Sequence, residues 1–228
     1  MNTSMPHEIS FAGKSCVVFD AYGTLLDVHS AVQRHAERVG PEAASLSALW
    51  RVKQLEYSWV LSLIGRYESF WSLTEQALDY ALARHPTVNP ALRQPLLDAY
   101  RALDAYPEVP DVLSRLREAG LRIAILSNGN QAMLDRAVSS AGLADRLDAV
   151  LSVDDVQVFK TSPKAYQLVL DRLGGTEAEV MFCSSNRWDV AGASAFGFIP
   201  VWVNRQGMPD EYPDLPPVAM VKDLAGLA

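Results

Sequence analysis

The chain reads as an α/β protein built on a doubly wound parallel sheet, with a helical cap inserted after its first strand. Three observations predict this. Short apolar runs recur along the sequence, and each ends in a polar cluster. Amphipathic helical patterns alternate with those runs, the order that produces a parallel sheet. Residues 28–106 break the alternation: they carry no convincing strand run and are rich in Leu, Ala, Trp and Tyr at helical spacing.

In chain order, residues 15–19 (SCVVF) form a buried-strand pattern that delivers Asp20 at its C-terminal end, followed by the turn-rich AYGT. In the inserted segment Leu46, Leu49, Trp50 and Lys53 fall three or four apart, as do Leu55, Trp59 and Leu63. His85-Pro86 and Asn89-Pro90 punctuate this helical region. Trp50, Trp59 and Trp71 read as cap core. His7, His29, His35 and His85 lack ligand spacing and read as peripheral. Helical patterns then cover Val109–Ala119, Gln131–Ala141, Pro163–Leu173 and Val190–Phe196. Between them lie strand runs at 121–126, 149–152, 179–183 and 199–203. The second of the five runs ends in Ser127, Asn128 and Gly129, and the fourth in Ser184, Ser185 and Asn186. The Pro-rich 208–217 stretch reads as a loop before a last strand and helix. The expected division is a core of residues 1–27 and 107–228 with a cap of 28–106. Ligands of open α/β sheets bind at the carboxyl ends of strands, and all these polar clusters fall there.

Bulk properties narrow the function. With 228 residues, 49% hydrophobic and 21% charged, the chain has enough apolar material for a full core. A net charge of -7 disfavours phosphate-neutralising nucleic-acid binding and obliges any anionic substrate to find local cations. No segment approaches 18 consecutive apolar residues, and MNTSMPHEISFAGKS lacks a basic region followed by an apolar run. The expectation is a cytoplasmic protein without a membrane span. Cys16 and Cys183, both in strand runs, read as buried free thiols.

The segment Phe19-Asp20-Ala21-Tyr22-Gly23-Thr24-Leu25-Leu26-Asp27 resembles the first motif of the haloacid dehalogenase superfamily, whose aspartate is a covalent nucleophile. Ser127-Asn128, Lys160 and Ser184–Asp189 are similar to its later motifs, in order and at compatible spacing, so the resemblance spans essentially the whole chain. It implies a Rossmann-like core. Superfamily phosphatases carry a second aspartate two residues after the nucleophile to protonate a leaving alcohol. This chain has Tyr22 there. Where magnesium phosphatases commonly present paired acids, it has Asn186 and leaves Asp189 nearly alone, which predicts no metal and no other cofactor.

Leu49-Trp50-Arg51-Val52-Lys53-Gln54-Leu55-Glu56-Tyr57 and Ser184-Ser185-Asn186-x-Trp188-Asp189 resemble motifs of the L-2-haloacid dehalogenases in particular. By that resemblance Thr24, Arg51, Ser127, Asn128, Lys160, Tyr166, Ser184, Asn186 and Asp189 occupy catalytic or binding positions. Tyr22, Leu55, Phe70 and Trp188 line an apolar pocket. Lys160 holds Asp20, while Ser127 and the main-chain N–H groups around Ala21 meet the substrate carboxylate. Arg51 and Asn128 cradle the halide. Asp189, with Ser184 and Asn186, activates water against an aspartyl ester. The implied partners are a small 2-halocarboxylate and a halide ion, and a second copy of the chain in a homodimer. Val52 replaces a residue that is often polar in that family, and Leu26 one that is often Phe; both bear on substrate range. A magnesium phosphatase and a catalytically silent binding member are the alternatives. Against the last stands the desolvation cost of burying Asp20, Lys160 and Asp189.

Overall fold

The computed structural model describes residues 9–227; His7 lies outside them. Six strands form one sheet: β1 (Cys16–Phe19), β2 (Arg122–Ser127), β3 (Ala149–Ser152), β4 (Val180–Ser184), β5 (Ile199–Val203) and β6 (Ala219–Val221). Their spatial order is β3-β2-β1-β4-β5-β6, and every pairing is parallel. All four residues of β1 are buried, as are the five of β4, because helices cover both faces of the sheet.

The helices α6 (Val109–Glu118), α7 (Gln131–Ser140), α8 (Pro163–Leu173) and α9 (Arg187–Phe196) lie between the strands as the apolar periodicity predicts. The last begins three residues earlier than Val190, so it starts directly after Asn186. Pro110 and Pro163 sit in the first turns of α6 and α8, where a missing N–H costs nothing. The chain crosses from one side of β1 to the other between β3 and β4. The carboxyl ends of β1 and β4, carrying Asp20 and Ser184, therefore flank the point where strand order reverses. That crevice is where such sheets bind ligands.

Five helices precede α6: α1 (Ser30–Gln33), α2 (Ala36–Val39), α3 (Ala43–Leu63), α4 (Phe70–Arg84) and α5 (Arg93–Tyr100). Ser69 caps α4 by accepting the Ser72 N–H, and α4 ends at His85, ahead of Pro86. Long helices α3 and α4 pack on each other, but α3 does not bury the stripe its leucines suggest. Its inward face is Leu46, Ser47, Trp50, Gln54 and Ser58. Gln54 donates to Thr74 Oγ1 at 2.9 Å, and Tyr100 reaches Gln54 Oε1 at 3.3 Å, so a satisfied polar network fills the space. Leu63 is consequently 86% exposed and Trp59 37%. Reading Trp59 as cap core is corrected by this packing; Trp50 is buried and donates its indole N–H to the Thr74 carbonyl. Trp71 is half-buried beneath the Arg101 guanidinium.

Two histidines also depart from expectation. His85 is buried and engages the Ala81 carbonyl and Ser45 hydroxyl, satisfying the end of α4. His29 lines a cavity, described below. Cys16 and Cys183 are buried free thiols, as anticipated. Among the described residues no helix is long and apolar enough to cross a membrane.

Candidate active site

β1 delivers Asp20 into the crevice with its main-chain N–H still bonded to the Cys183 carbonyl of β4 at 3.0 Å. The residue is only 5% exposed, and three donors hold its carboxylate. Lys160 Nζ lies 3.1 Å from Oδ1, while Thr24 Oγ1 and Asn186 Nδ2 donate to Oδ2 at 3.1 and 2.8 Å. Thr24 is reached because the chain turns immediately after Asp20: Gly23 takes φ +95°, a region that favours glycine, and Leu25 and Leu26 N–H return to the Ala21 carbonyl.

Lys160 is fully buried and also bonds Asp189 Oδ2 at 2.8 Å. Burial opposes its charge, but Asp189 and Asp20 together outweigh that penalty and raise its pKa. Its ammonium therefore occupies the space between two carboxylates, where a bridging cation would otherwise be needed. Among the described residues no three His, Cys, Asp or Glu side chains gather as a metal site. Asp189 is wholly buried and accepts a second bond from the Tyr166 hydroxyl at 2.8 Å. Desolvation dominates there and pushes the Asp189 carboxyl up to about 6, with Lys160 pulling the other way.

Tyr22 lies two residues after Asp20, in place of a second carboxylic acid. Burial, reinforced by the stacked Tyr100 ring 5.8 Å away, pushes its phenol well above the ordinary range. Arg51 reaches down from α3 to donate to the Tyr22 carbonyl at 3.1 Å. Phe70 lies 6.3 Å from the Tyr22 ring and 6.0 Å from Phe159, and Ala21 is fully buried.

The other expected residues act at one remove. Asn128 Oδ1 accepts the Lys160 main-chain N–H at 2.9 Å, fixing the lysine and leaving its own amide N–H groups free to face a ligand. Ser127 Oγ accepts from Gly129 N–H at 3.1 Å, so its hydroxyl proton remains to be donated. Ser184 Oγ accepts the Asn186 N–H at 3.1 Å and thereby orients that amide.

One cavity opens on this centre and a second lies between α3 and α9. The first, about 320 Å³, is lined by Tyr22, His29, Arg51, Leu55, Asn186 and Arg205 among others. The second, about 660 Å³, includes Trp59, Phe159, Lys160 and Trp188 in its wall. Trp59 meets Trp188 edge-on at 5.5 Å between centroids, so it belongs to the wall of the larger cavity. Val52, in contrast, is 55% exposed and lines neither cavity. Its expected influence on substrate range is corrected accordingly: the α3 face it occupies points away from the crevice. Leu26 is fully buried and pairs with Ala105, which makes it a support under the site.

Several contributors were not read from the sequence. Ser185 donates its main-chain N–H to Thr24 Oγ1 at 2.8 Å. Arg205 donates to the Thr24 carbonyl at 2.7 Å, pairs with Glu108 at 2.7 Å and stacks on Tyr106. Buried Arg187 bonds Asp210 and the Tyr212 and Leu215 carbonyls, holding the Pro-rich loop against α9. Gly192 is the clearest omission. A Cβ there would stand 2.3 Å from Tyr166 Oη and 2.8 Å from Thr161 Cγ2. A glycine inside a helix costs about 1 kcal/mol relative to alanine, and that local penalty is the one signal that could have flagged it. Gly192→Ala displaces the Tyr166 hydroxyl from Asp189, and turnover should fall on the order of 10²-fold. Steady-state kinetics check this; unchanged kcat in a folded variant would remove Tyr166 from the machinery.

A family model for haloacid dehalogenase-like hydrolases matches residues 14–197. (S)-2-haloacid dehalogenase 4A of Burkholderia cepacia is 49% identical over 94% of this chain and 93% of its own length. (S)-2-haloacid dehalogenase 1 of Pseudomonas sp. (strain CBS-3) is 47% identical over 94% of each. Among solved structures, the Xanthobacter autotrophicus L-2-haloacid dehalogenase with chloropropionic acid covalently bound superposes with a TM-score of 0.85 at 39% identity, over 94% of this chain and 96% of that one.

Proposed function

Because the chain belongs to the haloacid dehalogenase-like hydrolases, and within them to the (S)-2-haloacid dehalogenase family, we propose that it hydrolyses small L-2-haloacids to D-2-hydroxy acids through an ester on Asp20. The observation that carries this reading is the Asp20 carboxylate itself. It is buried, held by three donors and neutralised by an ammonium shared with a second buried carboxylate.

Two like charges must meet in the first step. At ~4 Å and an effective dielectric of ~20 their repulsion is about 4 kcal/mol, on the order of a thousandfold in rate. Lys160 offsets it at the nucleophile. The Ser127 hydroxyl and main-chain N–H groups near Ala21 receive the substrate carboxylate. An Asp20 oxygen bonds to C2 from the face opposite the halogen, and the halide departs with the bonding pair toward Arg51 and Asn128, inverting the carbon. Halide needs no proton on leaving, so Tyr22 suffices where a phosphatase requires an acid. Phe70, Leu55 and Trp188 exclude water from that step.

Water then attacks the ester carbonyl of Asp20. Asp189 takes one water proton, with Tyr166 and Lys160 holding it in place, and passes that proton to the departing alkoxide of the hydroxy acid. The regenerated Asp20 carboxyl keeps the water oxygen and loses its own proton to solvent. No metal enters any step. Residues 28–106 act as the cap that brings Arg51, Leu55 and Phe70 over the core. We place the enzyme in the cytoplasm as a homodimer, with exposed Val52, Val60, Ile64 and Tyr80 as the contact face. Sedimentation that returns a monomer mass removes the dimer.

The test of the reaction is halide release from L-2-chloropropionate in the presence of a chelator, with the product's configuration recorded. Release that requires magnesium, or hydrolysis of an aryl phosphate instead, favours the phosphatase reading. Asp189 also predicts a pH profile. Its carboxyl must be ionised to accept a proton, and its pKa is raised to about 6. Ester hydrolysis should thus be flat above that value and fall about tenfold per unit below it. A single-turnover decay that stays constant well below pH 6 excludes Asp189 as the base.

A further inference from the structure

We propose that the corner between α3 and α4 positions Lys160, with Ser62, Tyr67 and Phe159 as positioning residues. The cap thereby fixes the cation of the reacting centre as well as bringing Arg51 over it. The assignment rests on the dehalogenation reading, in which that cation serves Asp20 and Asp189, and it says how the cation is held. A lysine side chain is a flexible four-carbon stem. Keeping its ammonium 3.1 and 2.8 Å from two carboxylates therefore demands a fixed main chain at its root. Lys160 lies in neither helix nor strand: residues 156–162 form a loop between the turn at Val153–Asp155 and α8. Regular secondary structure does not supply the fixing.

The core ties this loop at Lys160 itself, where Asn128 Oδ1 accepts the main-chain N–H at 2.9 Å. The cap ties the chain on the N-terminal side of the lysine, at two places. Phe159 donates its N–H to Ser62 Oγ at 3.2 Å, across 97 positions. Its fully buried ring lies 5.0 Å from Tyr67 and 6.0 Å from Phe70, both from the cap. Tyr67 also donates its hydroxyl to Asp154, whose other oxygen accepts the Gln131 N–H at 3.2 Å. One tyrosine thus spans the segment, with its ring on Phe159 and its hydroxyl on Asp154. Between these points Gln157 takes φ +50°, a left-handed conformation uncommon outside glycine. Such backbone persists where surrounding contacts over-determine it. Phe159 engages the cap, and the next residue engages the core. Consecutive Cα atoms are about 3.8 Å apart, so a shift of Phe159 passes directly to the root of the lysine. Arg51 arrives and Lys160 is fixed by the same seating of the cap.

The experiment combines Ser62→Ala, which removes the acceptor of the Phe159 N–H, with Tyr67→Phe, which removes the hydroxyl and keeps the ring. Neither change takes apolar volume from the core. Burial raises the Asp189 carboxyl to about 6, while Lys160 and the Tyr166 hydroxyl pull it down and Asp20 pushes it up. A loosened Lys160 pulls less. The acid limb of single-turnover ester hydrolysis should therefore move to higher pH in the double variant, by about half a unit to one unit. For L-2-chloropropionate kcat should fall on the order of tenfold, with KM nearly unchanged because Arg51, Ser127 and the main chain around Ala21 still receive the substrate. Ser62→Thr keeps the hydroxyl and, in place of Ser62→Ala, should restore both the limb and kcat. A limb that stays in place overturns the proposal, as does a loss of kcat/KM carried by KM alone, the mark of a displaced cap. Acetylation of Lys160 by acetic anhydride, read by mass spectrometry, is independent of turnover. The wholly buried side chain should resist the reagent in wild type and react faster in the double variant. Should wild type release no halide, the reaction reading falls by itself; faster acetylation in the variant then supports the positioning role, and equal acetylation overturns it.

Discussion

Asp20→Asn should abolish halide release, by on the order of 10⁴-fold or more, as loss of a covalent nucleophile generally does. The substitution keeps the side chain's size and its bonds to Thr24 and Asn186 within reach. It removes the charge that attacks carbon and the charge that Lys160 neutralises. Burst kinetics and mass spectrometry of the denatured protein give the direct measurement. Wild-type enzyme mixed with excess substrate should carry one substrate-derived carboxyalkyl group esterified to Asp20, and the variant none. With excess enzyme in ¹⁸O-water, the label should appear in the Asp20 carboxylate after one turnover, and the first hydroxy acid should be unlabelled. Label entering the product directly in that turnover would mean that water, and not Asp20, attacks C2.

Lys160→Met has the second largest expected effect, because it acts on stability as well as rate. The wild-type ammonium lies 3.1 and 2.8 Å from two buried carboxylates. Removing one partner from a buried charge network typically costs about 3–5 kcal/mol, and methionine fills the space without supplying charge. In the variant both carboxylates lose their cation, and Asp189, already raised to about 6 by burial, loses the charge that pulled it down and rises further above its unfolded value near 4. A raised folded pKa means that the folded state binds protons more tightly. The deficit is therefore smallest below pH 4 and grows as pH increases through the new folded value. Urea unfolding at pH 4 and pH 8 separates the two regimes. Stability equal to wild type at pH 8 would show that the ion triad carries no such role. Turnover should be lost in parallel, since a protonated or unneutralised Asp20 is a poor nucleophile toward an anion.

Much of this centre was legible in the chain. Asp20, Ser127 and Ser184 each end an apolar run, and a parallel sheet gathers strand ends on one edge, so their proximity followed from pattern alone. Lys160 and Asp189 were legible only through motif resemblance, because neither lies at a strand end, and a lysine in a loop is ordinarily solvated. Trp59 and Val52 went the other way. Helical spacing marks which residues share a stripe on α3 but not which stripe faces inward, and the buried Gln54–Thr74–Tyr100 network settled that against the leucines. His29, Arg187 and Arg205 stayed illegible because their partners lie far along the chain. Arg205, for instance, meets the Thr24 carbonyl across 181 positions.

By itself the sequence determined the class of fold, the place of Asp20 at the end of the first strand and the absence of a second acid two residues on, because these depend on local periodicity and on residue identity at strand ends. Only the tertiary structure decided how charge is shared among Asp20, Lys160 and Asp189, how closely Tyr166 approaches across Gly192, and the size and lining of the two cavities. Those quantities depend on distances between segments that are remote in sequence. Electrostatic energy and steric exclusion both change steeply over an ångström, a scale that packing fixes and residue order does not.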